Sequence, residues 1–184
     1  MNLLRDNGEQ HQGAFRDKNA LAQVPVLELD NGRLLTQSLA IIEYLDESHP
    51  EPPLLPRDAV ERAQVRELSA LIASGIQPFH NLATLEFLKE AAPSLSRARW
   101  FEHFVRPGLA ALERRAAQIS RGFLVGESVS MADALLVPQL YVARRFEVQV
   151  DPYPTLLAIE ARLTALEAFA SAHPDRQPDR PADA

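Results

Sequence analysis

Apolar residues recur along most of the chain at the three- and four-residue intervals of a helix, but the first fifty or so positions break that rhythm. Val24-Pro25-Val26-Leu27-Glu28-Leu29 is a β-type run, Asp30-Asn31-Gly32 a strong turn, and Arg33-Leu34-Leu35 the start of a second strand. A helix is predicted from about Ser38 to Ser48, with Ile41, Ile42 and Leu45 on one face. His49 to Pro56 is rich in proline and predicts a stiff linker.

Beyond the linker the pattern is helical throughout. Asp58 with Glu61 forms a capping-box signature, and Val65, Leu68, Ile72, Ile76, Phe79 and Leu82 predict one helix to roughly Leu88, kinked at Pro78 beside Gly75. A second runs from about Ser96 to Ile119, bent at Pro107 and closed by Gly122. Ser130-Met131-Ala132-Asp133 opens a third, which continues through Pro138 to about Arg145. Pro154 opens a last helix with Leu156, Ile159, Leu163, Leu166 and Ala170 facing inward. The tail HPDRQPDRPADA is polar and predicts no regular structure. The fold class is therefore α+β, with a small α/β part at 1–48, a linker at 49–56 and an all-α part at 57–184. Two strands and one helix do not complete a stable sheet, and only Leu3 and Leu4 offer strand material before Val24.

Composition narrows the function more than the fold. Hydrophobic residues make up 46% of 184 and charged residues 24%, which predicts a folded, soluble chain. A net charge of −6 argues against nucleic acid or an anionic membrane as a partner, and no apolar stretch is long enough to span a bilayer. Cysteine is absent. That excludes disulfides and thiolate chemistry within these residues and suits a cytoplasmic location. The five histidines show no metal-binding spacing, so no metal site is expected.

Longer motifs carry a resemblance. NLLRDNGEQ, QVPVLELDNG, LLTQSLAIIEYLDESHPEPPLLP, GIQPFHNLATL, FLVGESVSMADALLVPQLYVARRF and the final AHPDRQPDRP together resemble the zeta-class glutathione transferases of the maleylacetoacetate isomerase type. The resemblance implies a thioredoxin-like first part, truncated here, and a helical C-terminal domain. It also implies a homodimer, glutathione as cofactor and a dicarboxylate substrate. In that family the glutathione thiolate adds to the cis double bond of maleylacetoacetate, the adduct rotates about the new single bond, and elimination gives fumarylacetoacetate in aromatic amino-acid catabolism. Maleylpyruvate isomerase and general glutathione transferase are alternatives within the family. The family's thiol-activating Ser/Cys motif stands on a strand–helix unit that the resemblance places upstream of Met1, about 30 residues long with its neighbouring strand. Met1 itself stands where the family has an ordinary strand residue. No residue of this chain is therefore assigned as catalytic, and the chain as written is expected to be a poor enzyme. A non-catalytic glutathione-binding or dimerisation protein is the rival of another class.

The site residues follow from the residues and the resemblance together. Val24-Pro25 is either a trans proline at a strand edge or, as the resemblance implies, a cis proline that turns the backbone of Val24 toward glutathione. Gln37-Ser38 at a helix start is either a plain serine cap or an anion site, which the resemblance gives to the γ-glutamyl carboxylate of glutathione. Gln10 is either solvated surface or a contact to the glycyl end. Gln77 and Asn81 are four apart on a helix face, and the resemblance places them in the cleft between the domains. Arg144 and Arg145 both suit a helix C-terminus, and by resemblance Arg145 orients the dicarboxylate. Ser130 and Asp133 read as a cap and fold determinant, and His80 as a packing residue.

Overall fold

The turn at Asp30-Asn31-Gly32 closes an antiparallel hairpin of β1 (Val26–Glu28) and β2 (Leu34–Thr36), in the register Val26–Thr36, Leu27–Leu35, Glu28–Leu34. Gly32 takes φ +79°, a left-handed conformation open to glycine at little cost, while Asn31 Oδ1 accepts the Arg33 N–H at 3.1 Å. The computed structural model describes residues 8–178. Met1, expected to occupy an ordinary strand position, and the strand material at Leu3 and Leu4 lie outside the described residues. Among the described residues the sheet has two strands.

Around the hairpin stand a single 3-10 turn (Glu9–His11), the short α1 (Gly13–Arg16) and α2 (Ser38–Ser48). Ile41 is buried and Ile42 half-buried, but Leu45, expected to face inward, is 40% exposed. Geometry explains the difference. Eleven helical residues rise about 16 Å, whereas three-residue strands span about 10 Å, so the helix overruns the sheet it packs on.

The remaining α-helices are α3 (Ala59–Ala70), α4 (Leu82–Ala91), α5 (Arg97–Ile119), α6 (Met131–Arg145), α7 (Pro154–Thr164) and α8 (Glu167–Ser171). The tail expected to lack regular structure holds a 3-10 turn at Pro174–Arg176, where His173 Nδ1 accepts the Asp175 N–H at 3.2 Å. The single kinked helix predicted from Asp58 to Leu88 is in fact α3 and α4. Between them Leu71–Ile76 widens into a π-helix and Gln77–His80 tightens into a 3-10 turn. Pro78 has no N–H to continue the ladder, so the chain leaves the helix, and Asn81 restarts it in an extended conformation with its Oδ1 accepting the Ala83 N–H at 3.1 Å. The last predicted helix likewise breaks at Ala165, which leaves Leu166 38% exposed. Asp58 caps α3 as expected, but Glu61 does not complete that pattern with it: its carboxylate accepts from Arg121 at 2.8 Å.

Val65, Leu68, Ile72, Ile76, Leu109, Leu112, Leu136, Leu140, Leu156 and Leu163 form the helical core, each at most 3% exposed. Each contributes roughly 1.5–3 kcal/mol by leaving water. Gly108 lets α5 approach the π-helical stretch: a Cβ there would stand 2.5 Å from Ile76 Cγ1. Glu113 of α5 accepts the N–H groups of Thr155 and Leu156 at 3.0 Å each and so caps α7 from a distance. The described residues divide into two compact units, 8–51 with 172–178, and 52–171. The boundary falls within the proline linker. The segment from Ala172 groups with the first unit, whereas the sequence pattern assigns it to the helical part.

Candidate functional site

In the first unit, Asn19 organises the segment that delivers Val24. Its Nδ2 donates to Gln23 O at 2.7 Å, its Oδ1 accepts from Leu21 N at 3.1 Å, and its own carbonyl accepts from Ala22 N. Val24-Pro25 follows as a cis peptide. Val24 is 47% exposed, and its N–H and C=O bond to no described residue. That leaves one residue whose backbone groups are open to a peptide that would pair with them as an added strand does.

Gln37 and Ser38 open α2. Gln37 has φ +72°, which is unusual for a residue with a side chain, and its carbonyl accepts the first helical bond from Ile41 N at 3.0 Å. Ser38 is the first helical residue and not the cap, and its hydroxyl has no partner among the described residues. The plain serine cap is thereby corrected. The N-terminus of an eleven-residue helix stands without a side-chain cap, and its free N–H groups and dipole favour a carboxylate. Gln10 is 7% exposed in its 3-10 turn, so the solvated-surface alternative does not hold. Gly8, at φ +87°, leaves room for it: a Cβ would lie 2.4 Å from the Gln10 amide. Met1, upstream of which the thiol-activating motif is expected, lies outside the described residues.

In the second unit, Gln77 is exposed at the start of the 3-10 turn, and Asn81 ends that turn as the cap of α4. They do not share the face of one continuous helix, because the helix is broken between them. Every residue between them is tied down. Pro78 O accepts from Thr84 Oγ1 at 3.0 Å, and Phe79 O from Trp100 Nε1 at 2.7 Å. The Phe79 ring stacks on Phe104 at 4.6 Å, and His80 Nε2 bonds to Gln139 Oε1 at 3.1 Å. Burial holds the His80 imidazole below its ordinary pKa of 6.5, outweighing its hydrogen bonds.

The two arginines at the end of α6 separate clearly. Arg144 forms a two-pronged ion pair with Glu160 of α7, at 2.6 and 2.5 Å. Arg145 is exposed and has no partner among the described residues. Ser130 and Asp133 are buried and form the reciprocal cap of α6. Asp133 Oδ1 accepts from Leu124 N at 2.9 Å, and Oδ2 from Ser130 N and Oγ at 2.8 and 2.7 Å. Burial raises its pKa, and those bonds pull the other way.

A cavity of about 390 Å³ opens between α5 and the α6–α7 connection, on Phe101, Phe146, Val148 and Pro152. None of the assigned residues lines it. No group of three or more His, Asp or Glu among the described residues is placed to hold a metal, and no described helix is long and apolar enough to cross a membrane. Asn19 and Glu113 escape a reading of the sequence. An Asn four residues ahead of a glutamine carbonyl is a weak turn signal, and Glu113 looks like any surface charge on a helix.

A cis-proline hairpin, an uncapped helix start and a helical second unit define a glutathione-transferase arrangement. Residues 5–53 match the glutathione S-transferase N-terminal domain, and residues 105–167 match the C-terminal domain. The chain belongs to the glutathione S-transferase family. Its likeness within that family is to maleylacetoacetate isomerases. It is 45% identical to the maleylacetoacetate isomerase of Mus musculus over 183 residues, which cover all of this chain and 82% of the mouse protein. The crystal structure of maleylacetoacetate isomerase from Anaeromyxobacter dehalogenans with GSH in its active site has 48% identity and a TM-score of 0.84, over 94% of this chain and 81% of that one. A bacterial zeta-class maleyl pyruvate isomerase has 36% identity and a TM-score of 0.87, over 94% and 82%.

Proposed function

We propose that this protein catalyses the glutathione-dependent cis–trans isomerisation of maleylacetoacetate to fumarylacetoacetate. The observation that carries the reading is the pair of vacant peptide and anion positions in the first unit. The Val24 backbone lacks partners beside a cis proline, and the α2 N-terminus stands open beside the Ser38 hydroxyl. A γ-glutamyl tripeptide has the two features these positions suit, an extended backbone and a free carboxylate. Val24 would pair with the peptide, Gln37 and Ser38 would hold the γ-glutamyl carboxylate, and buried Gln10 would stand toward the glycyl end. Gln77 and Asn81 would supply further amides, and Arg145 would orient a substrate carboxylate with its guanidinium fork. Bound glutathione supplies the thiol nucleophile for the isomerisation. The residues of this chain bind and orient, and no proton transfer is assigned to any of them.

The 42–45% identity to isomerases of Mus musculus and Pseudomonas aeruginosa supports this substrate. Likeness to a maleyl pyruvate isomerase supports a related one. A cytoplasmic homodimer acting in aromatic amino-acid breakdown accords with the family and with the absence of cysteine. The test is to follow maleylacetoacetate and maleylpyruvate by NMR, with and without glutathione. Conversion of maleylacetoacetate only when glutathione is present, and faster than that of maleylpyruvate, supports the proposal. Faster conversion of maleylpyruvate would reassign the substrate.

A further inference from the structure

Gln139 is costly where it stands. It is 3% exposed on α6, and its amide Nε2 has no hydrogen-bond partner among the described residues. A buried unsatisfied amide calls for an explanation, and an apolar side chain would fill the same space without that penalty. Its one recorded polar contact is the bond between its Oε1 and His80 Nε2, across 59 residues of sequence. An amide oxygen only accepts, so His80 donates as its Nε2–H tautomer. The same imidazole lies 6.2 Å from the Phe146 ring, and Phe146 directly follows Arg145. His80 therefore touches α6 at two levels: in its middle at Gln139, and at the end that carries Arg145. On its own strand of chain it is the last tethered residue before Asn81 and lies three residues after Gln77.

We infer that His80, held by Gln139, is a positioning residue: it sets the 3-10 turn bearing Gln77 and Asn81 in a fixed place on the helix that ends in Arg145. The inference rests on the glutathione and substrate roles proposed for those three residues. His80 itself touches neither ligand. Its effect is to prevent the turn, which lacks the continuous ladder of a helix, from drifting relative to α6.

Three variants test this. Phe at 80 (H80F) keeps a ring against Phe146 and loses the donor. Met at 139 (Q139M) removes the acceptor together with the unsatisfied amide. Gln at 80 (H80Q) restores an N–H donor. H80F and Q139M should raise the KM for glutathione about 3- to 10-fold, the factor one lost hydrogen bond corresponds to, with kcat within about twofold. Q139M should melt close to the parent temperature, because loss of the buried unsatisfied amide offsets loss of the acceptor for the His80 donor. H80Q should return KM to within about twofold of the parent. A purely structural contact would lower the melting temperature of Q139M along with its binding, and that result overturns the inference. So does a parent-like KM in both H80F and Q139M. If the parent itself fails to bind glutathione in calorimetry, the functional reading fails, and this inference fails with it.

Discussion

Ser38 and Arg145 are both polar residues without partners among the described residues, and that makes their roles separable from stability. Replacing Ser38 by alanine should weaken glutathione binding by about 1–3 kcal/mol. Its melting temperature should hardly change, because the hydroxyl caps nothing. Calorimetry with unchanged affinity would remove it from the anion site. Arg145→Ala should raise the KM for maleylacetoacetate and leave a neutral conjugation substrate nearly unaffected. Arg144→Ala should leave the KM for both substrates nearly unchanged, since Arg144 is engaged with Glu160. Equal loss on acidic and neutral substrates would make Arg145 structural. His80 carries a pH signature. Its folded pKa lies below 6.5, so below about that pH the unfolded chain binds a proton the folded chain resists. Stability should therefore fall as pH drops from about 6.5 through the folded pKa, and in H80F this component of the pH–stability curve should vanish. An unchanged curve would show that the ring titrates freely.

At the scale of elements, packing decides more than propensity. Gly108→Ala places a methyl 2.5 Å from Ile76 Cγ1 and should cost about 1–3 kcal/mol in a denaturant melt, through displacement of α5 from the π-helical stretch. Asp133→Ala leaves the N–H groups of Leu124 and Ser130 without their acceptor in a buried place, and should cost roughly 2–4 kcal/mol. A loss below about 0.5 kcal/mol in either melt, the level of an ordinary surface substitution, would contradict these packing accounts. The elements legible in the sequence are those with local signatures. The Asp30-Asn31-Gly32 turn, the Ser130–Asp133 cap and the long periodic run of α5 need no tertiary information. The break at Gln77–Asn81 is legible only as a kink, because Pro78 announces a lost hydrogen bond but not that Asn81 will restart the helix. Asn19 is held by hydrogen bonds within its own turn, and neither its burial nor that of Gln10 is marked by any periodicity. Their polarity points toward the surface.

For the whole molecule, the two units differ in how much apolar surface they bury. Among the described residues of the first unit only Ala22 and Ile41 are buried apolar side chains, whereas every helix from α3 to α7 contributes to the core of the second. Local stability follows buried contacts. Amide exchange should be fast through 8–51 and slowest in α5 and α6, and equal protection in both would contradict this division. The residues assigned to glutathione in the first unit thus stand on its thinner core. Ligand that binds only the folded form should raise protection there more than elsewhere.

All the binding assignments but Arg145 converge on glutathione, so a calorimetric titration of glutathione into the full chain tests the account most directly. Saturable binding at one site per chain, weakened by Ser38→Ala and unaffected by Arg144→Ala, is the predicted result. No saturable binding at millimolar glutathione, or binding indifferent to Ser38, would contradict the account.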